Sequence, residues 1–436
     1  MTPAARLAAS ARILDTLKAS REPVEAVLKA WGRANRYAGS KDRRAIADRV
    51  YRCIRARARL EWAMGEASGR ALVLGSLSLI DGLELDEIAA LFSGEGYGPE
   101  PLTPAEIARL SAPAGALPGW VEAGLPGFVA DDLKATFGDE WHHEAVALMQ
   151  PRAPIDLRVN TARSSTDAVM AELEAAGLAP RRTTLSATGL RLSAEPPPNV
   201  QALAGFRDGA FEIQDEGSQI ACWLAGGALS LGGAVVVDYC AGGGGKTLGL
   251  AQQMSGQGVL VACDVVPRRL GNIRPRLERA GVKAELRLLG EDGQGLDDLE
   301  GRADLVLVDA PCSGSGTWRR RPEEAWRLTE GEVERLHRLQ TDILSRAARL
   351  VKPGGRLAYV TCSILSRENE ASADAFAAAH PDFAPVAIEA ASHTDLLSEA
   401  GRVQLAKLAG GGHRLRLSPH RTDTDGFFIA LFERPA

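Results

Sequence analysis

Between residues 222 and 436, short apolar segments follow one another along the chain, with helical stretches between several of them. These segments are AVVVD, GVLVACD, AELRLL, ADLVLVD and GRLAYVT. Short apolar runs that alternate with helices are typical of parallel strands covered by helices on both faces. The pattern predicts an α/β fold, a doubly wound Rossmann-like domain over 222–436. Ligands of such sheets bind beyond the carboxyl ends of the strands, so the residues after each strand are the candidates for function.

Two regions of different character precede this domain. Residues 1–140 contain helical spacing, as in DRRAIADRVYRCIRARARLEWAM with Ile46, Val50 and Ile54, and they predict an all-helical domain. Residues 141–221 mix strand candidates (PIDLRVN, GLRLS) with an amphipathic helix that starts near Ser165 or Thr166. This middle region predicts a small α+β connecting domain, which is too short to be a catalytic domain of its own.

Composition narrows the classes of protein to consider. No apolar run approaches the roughly 20 residues that span a bilayer, and the N-terminus lacks a signal-peptide pattern, so we expect a cytoplasmic protein without a membrane partner. The six cysteines form no C-x-x-C pair, which argues against a zinc site and a disulfide framework. We therefore expect reduced thiols and no metal.

Charge is distributed unevenly along the chain. The formal net charge is −5, yet residues 33–59 contain ten lysines and arginines and only two acidic residues. Such a basic segment either contacts nucleic acid or forms a solvated charged face, and charge alone does not separate the two.

A glycine-rich loop, CAGGGGKT, follows the first strand of the C-terminal domain. It is not a triphosphate-binding P-loop, because Cys240 occupies the position of the first glycine of G-x-x-x-x-G-K-[ST]. It also fails the dinucleotide pattern G-x-G-x-x-G, because Thr247 occupies the last glycine position. The strand ending in Asp238, the glycine loop and the helix start near Lys246 still suit a ligand that needs backbone donors, such as an amino-acid carboxylate.

Acidic residues follow the next two strands. Asp264 closes the second strand, where a carboxylate can accept both hydroxyls of a ribose, and Asp292 follows the third. Each acid alone is as readily a helix cap as a ligand. As a set after consecutive strands they favour an adenosine-containing cofactor without a triphosphate, and S-adenosyl-L-methionine fits that description.

Two cysteines, Cys312 and Cys362, follow the fourth and fifth strands in DAPCSGSGTWRRRP and YVTCSILSRENE. An isolated cysteine is more often a small buried hydrophobe than a nucleophile, and this reading suits Cys53, Cys222 and Cys263 and, less firmly, Cys240. It is weaker for Cys312 and Cys362, which have small or polar neighbours.

Methyl transfer to carbon 5 of a pyrimidine would explain thiols at such a site. That carbon is a poor nucleophile until a thiolate adds to carbon 6, and the thiol must afterwards be eliminated. Asp309 is placed to stabilise the adduct at nitrogen 3, or it merely caps the turn. Lys246 either lowers the pKa of a nearby thiol or forms a surface ion pair.

The motifs DYCAGGGGKT, DAPCSGSGT and TCS with the following REN resemble the cofactor loop and two cysteine motifs of the Nop/Sun family of RNA cytosine-carbon-5 methyltransferases. LRVN, IQDEGSQ and TDGFFIALFER resemble the flanking segments of that family in the same order. AGSKDRRAIADRVYRCIRAR is similar to the NusB-like RNA-binding domain of the bacterial subgroup that acts on 16S ribosomal RNA. The resemblance covers nearly the whole chain.

The resemblance implies a class I S-adenosylmethionine-dependent methyltransferase domain and assigns the cysteines. Cys362 of TCS would be the nucleophile and Cys312 would assist product release, with Asp309 and Lys246 beside them. The usual family loop is C-A-A-P-G-G-K, so two glycines replace alanine and proline here. The implied cofactor contacts are Cys240, Ala241, Gly242, Gly243, Gly244, Gly245, Lys246, Asp264, Asp292 and Asp309.

The expected function is therefore methylation of a cytidine in RNA, most directly 16S ribosomal RNA, by a monomer. The basic helical domain and WRRRP would contact phosphates. A DNA methyltransferase of this chemistry would instead depend on Cys312, and a tRNA methyltransferase or a catalytically silent RNA-binding assembly factor are further alternatives.

Overall fold

The computed structural model describes residues 1–112, 115–150, 152–194, 197–290 and 292–436. The chain divides into two compact units. The helical unit comprises Met1–Pro151 and Trp318–Leu328, and the α/β unit comprises Arg152–Thr317 and Thr329–Ala436. The three-domain division at residues 140 and 221 stays a prediction.

The helical unit confirms the all-helical prediction for the N-terminal region. Ile46, Val50 and Ile54 are buried on one face of a helix that ends before Ala56, and a second helix follows, on which Trp62 is half exposed. The helices of this unit are α1 (Pro3–Ala19), α2 (Val24–Ala34), α3 (Ser40–Arg55), α4 (Arg57–Met64), α5 (Gly69–Leu79), α6 (Leu85–Leu91), α7 (Pro104–Leu110), α8 (Gly119–Ala123), α9 (Gly127–Phe137) and α10 (Trp141–Met149).

The segment Trp318–Leu328 belongs to the helical unit although it lies between two strands of the α/β unit in sequence. Its Trp318 side chain is fully buried, and the Glu323 carboxylate accepts a hydrogen bond from the backbone N–H of Val24 at the start of α2. Trp326 donates its indole N–H to the carbonyl of Ile54. The segment is thus anchored in the helical unit by side chains distributed along its length.

The arginines of WRRRP do not share one environment. Arg319 is 3% exposed, and its carbonyl accepts a hydrogen bond from the Arg55 guanidinium at 2.7 Å. Arg320 and Arg321 are exposed. The prediction that this motif contacts phosphates is therefore wrong for Arg319, because its side chain is enclosed by protein.

The α/β unit begins with a small antiparallel sheet. Ser165 caps its helix by accepting the backbone N–H of Ala168 at 3.1 Å, as the sequence predicts. The sheet has the order β2-β3-β1-β4. Its elements are β1 (Ile155–Val159), α11 (Thr166–Ala175), β2 (Arg181–Arg182), β3 (Gly189–Leu192), α12 (Ala204–Arg207) and β4 (Phe211–Ile213).

The larger sheet confirms the predicted doubly wound architecture. Its order is β10-β12-β9-β8-β5-β6-β7, with β11 also paired to β12, and β5 to β9 are mutually parallel while β12 runs antiparallel to β9. The elements are α13 (Glu216–Gly226), β5 (Val235–Asp238), α14 (Gly245–Gln253), β6 (Val259–Asp264), α15 (Pro267–Ala280), β7 (Glu285–Leu288), β8 (Ala303–Asp309), α16 (Glu330–Ala348), β9 (Val351–Thr361), α17 (Glu370–Ala379), β10 (Ala384–Pro385), α18 (Ile388–Ala391), α19 (Glu399–Ala409), β11 (Arg414–Leu417), α20 (Pro419–Thr422) and β12 (Phe427–Glu433).

The strand order reverses between β5 and β8. From β5 the chain builds β6 and β7 on one side, and then returns to add β8 and β9 on the other. The carboxyl ends of β5 and β8 therefore diverge into loops at a topological switch point, which is where ligands bind in open α/β sheets. Asp238 and Asp309 end these two adjacent strands.

Neither a membrane span nor a metal cluster is found among the described residues. No helix in these ranges is both long and apolar enough to cross a membrane. Nor do the described residues contain a group of three or more His, Cys, Asp or Glu side chains that could hold a metal ion.

Candidate active site at the sheet switch point

The glycine loop connects the end of β5 to the start of α14. Gly242 and Gly244 have φ angles of +55° and +79°, in the left-handed region that favours glycine. A Cβ atom on Gly244 would also lie 2.9 Å from Ile273. The backbone N–H of Gly244 donates to the carbonyl of Ala241 at 2.8 Å, which closes the loop on itself. The glycines are therefore required by backbone conformation as well as by close packing.

Side chains from two neighbouring segments hold the loop in place. The backbone N–H of Gly242 donates to Oδ2 of Asp264 at 3.0 Å, and the guanidinium of Arg276 donates to the carbonyl of Gly243. The N–H of Ala241 donates to the carbonyl of Cys263 at 2.8 Å. The two glycines that replace alanine and proline are thus restrained by tertiary contacts.

Of the predicted cofactor acids, Asp264 lies against the loop. It is 4% exposed, and its second oxygen accepts the N–H of Val266 at 2.8 Å. Asp292 lies exposed in the turn after β7, and no hydrogen bond connects its side chain to the loop within the described ranges. The structure thus brings Asp264, but not Asp292, into contact with the glycine loop.

Lys246, at the start of α14, forms an ion pair with Asp309, at the end of β8. The Lys246 Nζ lies 2.8 Å from Oδ2 of Asp309 and 5.0 Å from the ring centre of Phe427. Burial disfavours the ammonium, but the Asp309 carboxylate outweighs this effect and raises the pKa of Lys246. Lys246 is 7% exposed, so the pair is not the surface ion pair considered from the sequence.

Asp238 was noted in the sequence only as the end of a strand. Its carboxyl is fully buried, and Oδ2 accepts a hydrogen bond from the Thr247 hydroxyl at 2.6 Å. Oδ1 has no hydrogen-bond partner among the described residues. Burial raises the pKa of Asp238 to about 7. Nothing in the sequence pattern distinguishes this acid from a capping residue.

The two cysteines that follow β8 and β9 are brought together. Their Sγ atoms lie 3.4 Å apart, and both residues are partly buried. The hydrogen bond with Cys362, together with burial, raises the pKa of the Cys312 thiol well above its usual range. Cys362 in turn contributes to the raised pKa of Lys246. Either sulfur can donate the hydrogen bond that joins the pair, and the raised pKa of Cys312 favours its protonated form.

The remaining cysteines lie in apolar or acidic surroundings. Cys53, Cys222 and Cys263 are buried, and burial raises their pKa values to about 11, about 12 and about 12. Burial also raises the pKa of Cys240 well above its usual range, with a further contribution from Asp309. A thiol that is protonated at neutral pH is a poor nucleophile. The predicted inert role agrees with these environments.

A buried carboxyl behind the cysteines was missed in the sequence. Glu368, in the REN segment, is fully buried and accepts hydrogen bonds from Ser313 and Ser363, the residues that directly follow the two cysteines. The available signal was its position in the REN segment, which resembles a family motif. Periodicity does not reveal that Glu368 binds Ser313, which lies 55 residues earlier in the chain.

Two family models match the chain. The model described as 16S rRNA methyltransferase RsmB/F matches residues 231–433, and an RsmF/B-like ferredoxin-like domain matches residues 125–199. A ribosomal RNA small subunit methyltransferase B from Salmonella arizonae is 34% identical over 310 residues, which is 70% of this chain. The alignments with the first three curated relatives cover 65%, 58% and 59% of their lengths.

Solved structures show the same architecture. The crystal structure of PH0851 superposes with a TM-score of 0.74 at 26% identity and covers 99% of both chains. A methyltransferase homolog from Pyrococcus horikoshii has a TM-score of 0.58 at 28% identity and covers 73% of this chain and 98% of its own. The fold is that of class I S-adenosylmethionine-dependent methyltransferases, and the family resemblance read from the motifs is confirmed. The two models match in chain order, so residues 125–199 and 231–433 of this chain are domains of the RsmB/F family of 16S ribosomal RNA methyltransferases.

Proposed function

We propose that this protein methylates carbon 5 of a cytidine in RNA, with 16S ribosomal RNA as the substrate, through a covalent adduct between Cys362 and carbon 6. The observation that carries this proposal is the 3.4 Å separation of the Cys312 and Cys362 sulfurs at the carboxyl edge of the sheet. One thiol suffices for addition to the ring. A second thiol beside it suits a reaction in which the first must later be released.

The glycine loop and its acids fit S-adenosyl-L-methionine. Left-handed glycines leave the loop backbone open to close approach, and the N-terminus of α14 favours an anionic carboxylate. The Asp264 carboxylate accepts one hydrogen bond at each oxygen and retains lone pairs for two ribose hydroxyls. The unpartnered Oδ1 of Asp238 is a further acceptor behind the loop. When bound, the cofactor supplies an electrophilic methyl group.

The residues proposed to hold the cofactor are those of the loop and of the adjoining strand ends. Asp292 remains a proposed contact on the family resemblance alone. The full set is Cys240, Ala241, Gly242, Gly243, Gly244, Gly245, Lys246, Asp264, Asp292 and Asp309.

Cys362 acts as the nucleophile in this scheme. In this scheme the Lys246 ammonium favours a neighbouring thiolate by its charge, and the Cys312 sulfur lies 3.4 Å from that of Cys362. The thiolate adds to carbon 6 of the cytosine, which makes carbon 5 nucleophilic. After methylation, the proton on carbon 5 is removed and the Cys362 thiolate is eliminated, with Cys312 assisting this release.

Asp309 contacts nitrogen 3 of the cytosine in the same scheme. Its side chain is 30% exposed, so one side faces solvent while the other is held by Lys246. Lys246 therefore orients the carboxyl that the substrate base meets.

The RNA approaches as a flipped nucleotide, because the thiolate must reach the face of the ring and stacking covers that face in a helix. The exposed basic residues of the helical unit, including Lys41 and Arg44 on α3, supply phosphate contacts. The match of residues 231–433 to the 16S rRNA methyltransferase model favours ribosomal RNA over tRNA or DNA as the substrate.

The test is methyl transfer from labelled cofactor to unmodified 16S RNA, with tRNA and DNA as parallel substrates and mass spectrometry to locate the methyl group. We expect carbon-5 methylation of the 16S RNA by the wild type and none by Cys362→Ala. Cys53→Ala, in the helical core, is the matched control and should retain wild-type turnover. Normal turnover by Cys362→Ala would refute the mechanism, and RNA binding without transfer by the wild type would favour the assembly-factor alternative.

A further inference from the structure

Glu368 has a fully buried carboxylate that is surrounded by hydrogen-bond donors. Oε1 accepts the backbone N–H of Ser313 at 2.8 Å and the side-chain amide of Gln340 at 3.0 Å. Oε2 accepts the hydroxyls of Ser313 and Ser363, each at 2.5 Å. Both carboxyl oxygens are therefore satisfied entirely by protein groups, and hydrogen bonds to a carboxylate are among the strongest in proteins.

The donors belong to the two loops that carry the reacting thiols. Ser313 directly follows Cys312, and Ser363 directly follows Cys362. One carboxylate thus binds the next residue after each cysteine. The same two serine hydroxyls are also 3.3 Å from each other, which places the carboxylate at the junction of the loops.

A second set of contacts also joins the two loops: the Ser315 hydroxyl lies 3.0 Å from the Ser363 hydroxyl and accepts the backbone N–H of Ile364 at 3.0 Å. The first loop reads CSGSGT, and its Gly314 has a φ angle of +67°, in the left-handed region that favours glycine. The two loops share one backbone hydrogen bond, from the N–H of Gly316 to the carbonyl of Cys362 at 2.9 Å. These contacts lie beyond Cys312, whereas the residues on either side of that thiol are held by the group around Glu368. Ser313 binds Glu368 directly, and Gln340, which donates to Glu368, also donates to the carbonyl of Pro311 at 3.0 Å.

We propose that Glu368 is a positioning residue that holds the Cys312 and Cys362 thiols at the separation required for adduct release. The effect of Glu368 on catalysis rests on the proposed function, whereas its effect on the distance between the two thiols does not. Glu368 acts through Ser313 and Ser363 and reaches neither sulfur by a hydrogen bond among the described residues. Oriented groups react far faster than free ones, so a small loss of alignment lowers the rate strongly.

The structural part is tested without RNA by phenylarsine oxide, which condenses with two neighbouring thiols. The arsenic gains two As–S bonds, and the two thiol protons leave with the oxide oxygen as water. Cys312→Ala gives the background of single-thiol binding. We expect Glu368→Ala to bind the arsenical at least about 10-fold more weakly than the wild type. Wild-type affinity in folded Glu368→Ala would overturn the proposal.

Two further variants show whether weaker arsenical binding comes from misplaced thiols or from a destabilised protein. Ser363→Ala removes one donor and leaves the carboxylate in place, so its affinity should lie between wild type and Glu368→Ala. Ser392→Ala removes a buried hydroxyl that donates to the carbonyl of Ile388 elsewhere in the α/β unit, and it should bind the arsenical as the wild type does. Equal weakening by Ser392→Ala would mean that general destabilisation, and not positioning, explains the effect.

The catalytic part is read from methyl transfer. Glu368→Gln keeps the side-chain size and should lower kcat by about 10-fold or more, while KM for RNA and cofactor changes by less than about 2-fold. A rise in KM with unchanged kcat would overturn the positioning role. If the wild type methylates no RNA, the proposed function fails, and the arsenical measurement still decides whether Glu368 holds the thiols.

Discussion

The sulfurs of Cys312 and Cys362 are separated by 3.4 Å in space and by fifty residues in sequence. The cause is strand order: β8 and β9 are adjacent and parallel, and the register pairs Asp309 with Val360. Both cysteine loops therefore leave the sheet at the same edge. This pairing gives the proposed reaction its two thiols and leads to the first expected outcome.

Replacing Cys312 by alanine should stop the reaction after the adduct has formed. The change removes the S–H group beside Cys362 but leaves the nucleophile in place. Acid–base assistance typically contributes about 10² to 10⁴ in rate, so we expect turnover to fall by that factor. A protein–RNA adduct resistant to denaturing electrophoresis should accumulate. Multiple turnovers at wild-type rate without adduct would rule out the release role.

Replacing Lys246 by methionine should destabilise the α/β unit. Removing one partner of a buried pair costs roughly 3–5 kcal/mol, but Asp309 is 30% exposed and keeps part of its hydration. We expect a loss of about 1–3 kcal/mol in the free energy of urea-induced unfolding. Lys352→Met is the matched control, because the Lys352 side chain, which pairs with Asp304, is 42% exposed, and its loss should change stability by less than about 1 kcal/mol. Equal losses in the two variants would contradict the special burial of Lys246.

Alanine substitutions in the glycine loop should have opposite effects at adjacent positions. Gly243 has no positive φ angle, and an added Cβ would make an ordinary 3.5 Å contact with Arg276. Gly243→Ala should stabilise the protein by about 0.4–1 kcal/mol, because it reduces the freedom of the unfolded chain. Gly244→Ala should destabilise it by more than about 1 kcal/mol, since it combines left-handed strain with the contact to Ile273.

The same two variants should differ in cofactor affinity. Titration calorimetry with S-adenosyl-L-methionine should show binding by Gly243→Ala at least as tight as by the wild type, and weaker binding by Gly244→Ala. Weakening in both would mean that the loop must be more mobile than its hydrogen bonds suggest.

The buried Asp238 predicts a specific dependence of stability on pH. Its pKa is raised from 3.8 to about 7 in the folded state, so between these values the folded protein holds a proton that the unfolded chain releases. The contribution of Asp238 to the free energy of unfolding is therefore greatest below pH 3.8 and decreases as the pH rises towards 7. Above about pH 7 it no longer changes with pH. Asp238→Asn removes the titration and can still accept the Thr247 hydroxyl.

This dependence is measured as a difference between the two proteins. The free energy of unfolding of the wild type minus that of Asp238→Asn should fall steadily between pH 4 and pH 7. Lys246, Asp264 and Asp309 act electrostatically on Asp238 and are common to both proteins. A difference that does not vary with pH would show that Asp238 stays ionised in the folded protein.

RNA affinity should depend on salt through the basic helical unit. Lys41 and Arg44 are exposed on α3, and each phosphate contact adds about one to the slope of log affinity against log salt concentration. Replacing either by glutamine should reduce that slope by about 1. Arg338→Gln, on α16 with a 75% exposed side chain, is the control and should leave the slope unchanged. An affinity insensitive to salt would place the RNA contacts elsewhere.

Much of the fold was readable from local patterns. Alternating apolar strands and helices predicted the doubly wound sheet, helical spacing at Ile46, Val50 and Ile54 predicted the helical region, and Ser165 marked a helix start. These features depend on residues within one or two turns of each other, so a single sequence contains them. One expectation failed, because Arg319 of the basic motif WRRRP proved to be buried.

The sequence by itself determined which chemical groups stand at the ends of the strands: the glycine loop, the acids Asp264 and Asp309, and the cysteines Cys312 and Cys362. Tertiary structure decided which of them meet. Strand order joined the two thiols, burial left Asp238 with an unpartnered oxygen, and Glu368 bound the residues after both cysteines. The physical reason is that periodicity reports the environment of a segment, whereas pairing across a sheet depends on packing between segments distant in the chain.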